Sequence, residues 1–150
     1  MKITQKNTLQ LMLWDVPSLD PIGVTLDDVK DAAGEITITC WGKAWTYYWG
    51  SMGKGNTLAS FFCGAGVDYL ADKLLPEGMR SYITDYDELS REVGEEVFEQ
   101  TLIFHSKLLE EKYGEYWFED MPTCVNPEYT YLCRIVEAVQ EGIKQWEETK

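Results

Sequence analysis

The stretch Glu35-Ile36-Thr37-Ile38-Thr39-Cys40-Trp41, then Gly42-Lys43, then Ala44-Trp45-Thr46-Tyr47-Tyr48-Trp49, decides the fold of this chain. Its first segment alternates apolar and polar residues and is rich in β-branched side chains, which suit a pleated strand buried on one face. Gly42-Lys43 reads as a two-residue turn of the Gly-X kind, so the second segment returns beside the first. With that turn, Cys40 faces Trp45, Ile38 faces Tyr47 and Ile36 faces Trp49, and these six side chains share a core face. Thr37, Thr39, Trp41, Ala44, Thr46 and Tyr48 share the other. That face is threonine-rich with two aromatics. Exposed aromatics on it would form a partner-binding patch, whereas the ordinary alternative is a helix or loop covering Trp41 and Tyr48.

Outward from this hairpin, the N-terminal side continues as strands. Leu9, Leu11 and Leu13 alternate with Gln10 and Met12, and Ile22, Val24 and Leu26 alternate with Gly23, Thr25 and Asp27. Pro17 to Pro21 breaks the first pair, and Asp27 to Gly34 reads as a polar connection. The C-terminal side reads as helices. Asn56 or Thr57 caps a helix carrying Leu58, Phe61 and Phe62, which Gly64 and Gly66 interrupt. Val67, Leu70, Ala71 and Leu74 then follow helical spacing up to Pro76. Asp85 to Lys112 reads as one long helix, with Leu89, Val93, Val97, Phe104 and Leu108 near one stripe and Gly94 weakening it. Asn126-Pro127 opens a last helix carrying Leu132, Val136, Val139, Ile143 and Trp146. Strands first and helices after predict an α+β fold, a small antiparallel sheet with helices on one face. The 150 residues are expected to form a single domain.

Charge excludes several functions. The chain has 13 bases against 26 acids, a net charge of −13. Phosphate contacts need Lys and Arg, so a direct nucleic-acid binder is not expected, and an anionic membrane is an equally poor partner. No apolar run is long enough for a transmembrane helix, and the first six residues lack the apolar core of a signal peptide. The cytoplasm is the expected location.

Catalytic signatures are lacking. Cys40, Cys63, Cys124 and Cys133 form no CxxC pair, so they read as reduced thiols rather than a metal site or redox motif. His105 is the only histidine, and any triad would have to use it. A half-buried helix histidine is its ordinary reading, and a general base the sharper one. Gly50-Ser51-Met52-Gly53-Lys54-Gly55 departs from the P-loop spacing. It reads as a turn between strand and helix, with an anion site as the alternative. No cofactor and no metal are expected.

The acidic residues concentrate in one place. Residues 85–120 hold twelve acids and three bases. On a continuous helix Glu88, Glu92, Glu95 and Glu99 would form one edge, with Glu96 flanking it. Like charges so placed repel by about 0.2–0.5 kcal/mol per pair, so helix stability does not account for the row. It either keeps a solvated face soluble or presents carboxylates to a basic surface, with association steered by charge. Four neighbouring exposed glutamates lack the unlike environments that an acid/base pair requires.

The segments Ser18-Leu19-Asp20-Pro21-Ile22-Gly23-Val24, Gly34-Glu35-Ile36-Thr37-Ile38-Thr39-Cys40 and Lys43-Ala44-Trp45-Thr46-Tyr47-Tyr48-Trp49-Gly50-Ser51-Met52-Gly53 resemble a family of small phage and prophage proteins. The likeness continues in Phe61-Phe62-Cys63, Asp68-Tyr69-Leu70-Ala71 and Pro127-Glu128-Tyr129-Thr130-Tyr131-Leu132-Cys133-Arg134-Ile135. It leaves out the acidic segment. The resemblance implies a setting, a bacterial cell under phage attack or lysogeny, and carries no catalytic residue with it. In that setting the first expectation is an interaction protein that blocks a host nucleic-acid-handling or defence complex. Glu88, Glu92, Glu95, Glu96 and Glu99 would supply charge, and Trp41 and Tyr48 an aromatic anchor. The host partner would be a protein with a basic surface. The rival expectations are a small-ligand protein or enzyme using Trp45, Tyr47, Trp49, the Gly50–Gly55 turn and His105, and a morphogenetic phage component. Nothing in the sequence sets an oligomeric state.

Overall fold

The computed structural model describes residues 1–150. They form two compact units, Met1–Met79 with Glu128–Lys150, and Arg80–Pro127.

The first unit is an antiparallel sheet of β1 (Leu9–Leu13), β2 (Ile22–Lys30), β3 (Ala33–Cys40) and β4 (Lys43–Trp49), in that order, with helices α1 (Leu58–Gly64), α2 (Val67–Leu74) and α6 (Pro127–Glu148). The supposed polar connection from Asp27 to Gly34 is instead strand almost throughout. β2 runs to Lys30 and β3 begins at Ala33, with Ala32 at φ +56° in a tight turn and a bulge between Asp28 and Lys30. Two strands side by side satisfy the backbone groups of this polar stretch better than an open loop would.

The β3–β4 turn also differs from expectation. Its two residues are Trp41 and Gly42, both at positive φ (+50° and +73°), and Cys40 opposes Lys43. Hairpin turns favour positive φ at both central residues because this matches the strand twist. Ile38 therefore faces Trp45 and Ile36 faces Tyr47. The slip is two residues, so the faces stay as expected. Ile36, Ile38, Cys40, Trp45 and Trp49 are buried and Tyr47 is half-buried.

The core of this unit joins that face to the helices. Ile22, Val24 and Leu26 of β2 meet Leu58 and Phe62 of α1, Leu70 and Leu74 of α2, and a stripe of Leu132, Ile135, Val136, Val139 and Ile143 on α6. Thr57 and Ser60 form a capping box at the start of α1. The Asp28 carboxylate accepts from the Leu58 amide at 2.8 Å. The chain's own carboxylate thus takes that helix start, and the Gly50–Gly55 segment is a turn. The architecture is α+β, with helices on one sheet face only. Thr39, Ala44 and Thr46 lie exposed on the other.

The second unit is built around a separate small core of Leu89, Val97 and Leu109, with Tyr86, Leu102, Tyr113 and Trp117 packed on it. Its elements are β5 (Tyr82–Thr84), α3 (Tyr86–Val93), a 3-10 helix (Glu99–His105), α4 (Ser106–Tyr113), α5 (Trp117–Asp120) and β6 (Thr123–Val125), with β5 and β6 paired antiparallel. No helix of the chain is long and apolar enough to cross a membrane.

Candidate functional site

The expected long helix over Asp85–Lys112 is three elements. Asp85 caps α3, accepting from the Glu88 amide at 3.0 Å. Gly94 ends it at φ +76°, its N–H bonding the Ser90 carbonyl. A left-handed glycine is the common helix stop, and here that role overrides Gly94's tolerance inside a helix. Ser90 then holds the returning chain, its hydroxyl accepting from Val97 N at 2.9 Å and facing Val97 O at 3.3 Å. Val97 is thereby fixed in the core.

The five glutamates are redistributed by this break. Glu88 and Glu92 ride on α3, Glu95 and Glu96 lie in the connection, and Glu99 starts the 3-10 helix. The regular row of carboxylates along one helix edge does not exist. Glu88 pairs with Arg91 at 2.5 Å, Glu92 accepts from the Tyr113 hydroxyl, and Glu95 lies 3.4 Å from His105 Nδ1. Glu96 and Glu99 are exposed and paired with no base. What survives is the density of charge: residues 80–127 hold twelve acids and four bases.

Burial, and after it the nearby carboxylates, raise two phenols of this unit. Burial first, then the hydrogen bond to Glu92 and the charges of Glu92 and Glu88, push the Tyr113 phenol up to about 12. The Tyr86 phenol is raised by burial and then by Glu99. In the first unit the bond to Cys40, followed by burial, pushes Tyr131 up to about 12. An unfolded phenol ionises near 10. Folded-state values above that mean the stabilisation is complete below pH 10 and is lost as pH rises from 10 toward 12. Thermal melts across that range should show falling melting temperature, and Tyr113→Phe should reduce the slope. A flat profile between pH 10 and 12 would contradict these environments.

The 3-10 helix exposes what the helical stripe was expected to bury. With about three residues per turn, Glu99, Leu102 and His105 share one ridge, and Leu102 seats it on the core. Ile103 and Phe104 fall on the other two ridges and are 74% and 83% exposed. Phe104 is therefore not a core residue. Phe98, Tyr116 and Phe118 of the same unit are also exposed. The signal was present in the sequence. Leu102-Ile103-Phe104 are consecutive, and no helix buries three consecutive side chains on one stripe.

Trp41 and Tyr48 are both exposed, at 77% and 46%. Neither helix nor loop covers them. They do not make one patch, however. Trp41 is in the turn, whereas Tyr48 opposes Glu35 five residues along β4 from Lys43, about 17 Å at strand spacing. Trp41 also carries a left-handed backbone, unfavourable for a bulky residue by about 1–2 kcal/mol.

The aromatics of the rival ligand-site expectation are packing residues. Trp45 and Trp49 are buried, Tyr47 lies 4.8 Å from the Trp49 ring, and Trp49 Nε1 donates to the Tyr69 hydroxyl at 3.1 Å. His105 belongs to the second unit, beside Glu95. Cys40 is buried and the other three cysteines half-buried, all free, and burial pushes the Cys63 and Cys133 thiols up. No group of His, Cys, Asp or Glu side chains is arranged to hold a metal ion.

The fold is that of an α+β protein whose segment from 80 to 127 combines dense carboxylates with the exposed Ile103 and Phe104. Residues 1–145 match the phage family Phage_phiTE_072, and the chain belongs to that family. Neither a curated protein nor a solved structure matches the chain.

Proposed function

We propose that this phage protein acts by binding a host protein through the unit Arg80–Pro127, and that the partner presents a basic surface with an apolar seat. The observation that carries this reading is the exposed pair Ile103 and Phe104 within a segment of twelve acids and four bases. Exposed bulky apolar side chains gain little for the isolated fold. At an interface they become the desolvated centre that supplies most of the affinity. Surrounding carboxylates steer approach and reject acidic competitors. A groove that holds nucleic-acid phosphates is lined by Lys and Arg, so a host nucleic-acid-handling or defence complex is the favoured class of target. Inhibition would follow from occupying that groove.

The test is charge reversal. Glu95→Lys, Glu96→Lys and Glu99→Lys together change the net charge by +6 while sparing every core residue. Association with the partner recovered from bacterial lysate should slow at least tenfold, and its salt dependence should flatten. Unchanged association kinetics in a folded triple variant would remove the electrostatic part of the proposal.

A further inference from the structure

A concavity of about 540 Å³ in the first unit runs between β1 and the second half of α6. Leu11, Trp14 and Asp15 line one side, Glu141, Gln145 and Trp146 the other. β1 is an edge strand, paired only with β2. Ladder bonds in an antiparallel sheet alternate from residue to residue, and a two-residue turn closes on a bonded pair. Starting at Cys40↔Lys43, the alternation makes Thr39↔Gly23, then Ile22↔Leu13 and Val24↔Leu11, the bonded pairs. Leu9, Leu11 and Leu13 thus spend their backbone groups on β2. The N–H and C=O groups of Gln10 and Met12 point away from the sheet, and no loop or cap bond of the chain reaches them.

Such an edge normally carries a lysine, a proline or a bulge that blocks pairing. Leu9-Gln10-Leu11-Met12-Leu13 carries none. We infer that β1 and α6 form a receptor for an extended, basic peptide segment, added as a fifth strand beside β1. Its backbone would bond Gln10 and Met12, and alternate side chains would enter the groove, the geometry of strand-addition recognition. Charge selects the ligand. The groove is lined by Asp15 and Glu141 and by no Lys or Arg. The chain already places a cation on its indole, with Lys150 Nζ 3.7 Å from the Trp146 ring while also paired with Glu147. A second copy of this chain fits poorly, because edge-to-edge pairing would bring together two molecules of charge −13.

The experiment selects a displayed library of random nine-residue peptides on the full chain, then titrates the enriched peptides into isotopically labelled protein. The expected binders carry Lys or Arg among β-branched residues. They should shift the amides of Gln10 and Met12 and the indole signals of Trp14 and Trp146. Glu141→Lys should weaken them at least tenfold. Met12→Pro, which removes an outward N–H at an edge that tolerates proline, should do the same while the melting temperature holds. Failure to enrich any peptide, shifts confined to other residues, or binding indifferent to both variants would overturn the inference.

Discussion

Replacing Ile103 and Phe104 together with Ser is expected to abolish partner binding while leaving the fold intact. Both side chains are mostly in solvent, so their removal costs the isolated protein little; surface substitutions of this kind usually fall within about 0.5 kcal/mol. At an interface the same truncation empties its apolar centre. Hot-spot residues lose about 2–4 kcal/mol each on truncation, which is about 30- to 700-fold in affinity. The two readouts therefore separate. Calorimetry or denaturant melts should show wild-type stability, and titration against the isolated partner should show binding lost beyond detection. The unpaired Glu96 and Glu99 would remain and still steer encounters, but without the apolar centre no complex is held. A double variant that binds normally would place the contact elsewhere.

The second large effect is on the fold. Phe62→Ala should destabilise the first unit by about 3–5 kcal/mol, a large share of the stability of an ordinary domain. Phe62 is fully buried on α1, where its ring and that of Trp49 stand edge to face with centroids 6.4 Å apart and Leu58 lies one turn away. The sheet beneath and α6 beside it are parts of one packed cluster, which relaxes only partly around a cavity. Urea denaturation followed by tryptophan fluorescence reads this directly, since Trp45 and Trp49 lie in the same core. A loss below about 1 kcal/mol would mean that the cluster is not packed as described.

How much of this was legible in the sequence depended on which rule governed each segment. The four strands and α6 follow simple periodicities. Ile36, Ile38 and Cys40 alternate, and Leu132, Val136, Val139 and Ile143 step by fours and threes, so their buried faces could be read without a structure. The hairpin register was harder. Either Trp41-Gly42 or Gly42-Lys43 makes a two-residue turn, and the sequence pattern survives a slip of two. A bulky Trp at positive φ is not what turn preferences select, and its place in the turn had no local signal. The polar residues around Asp31-Ala32 masked a second hairpin, because charge on an exposed strand looks like charge in a loop.

The acidic segment went wrong at one residue. Gly94 reads equally as a weak point within a helix or as a left-handed stop. The tertiary contact of Ser90 with Val97 decides for the stop. The aligned glutamates and the burial of Phe104 both require the helix to continue through Gly94, and both fail with the stop. The short β5–β6 pair lies below any periodicity, as three-residue strands do. The exposure of Trp41 and Tyr48 depended on whether anything covers the outer sheet face, which only the assembled fold decides.

Recognition of a basic partner by the apolar pair Ile103 and Phe104 within an acidic unit is open to a direct test. One measurement tests it most directly: capture of the partner from bacterial lysate by wild type and by the Ile103→Ser/Phe104→Ser variant, across a salt series from about 0.1 to 1 M. Over that range the Debye length shrinks from about 10 to 3 Å, removing steering while leaving apolar contact in place. One stoichiometric partner with a basic surface is expected. It should be held by wild type at low salt, weakened progressively as salt rises, and absent from the variant at every salt. A partner retained equally by both proteins, or no partner for either at any salt, would contradict it.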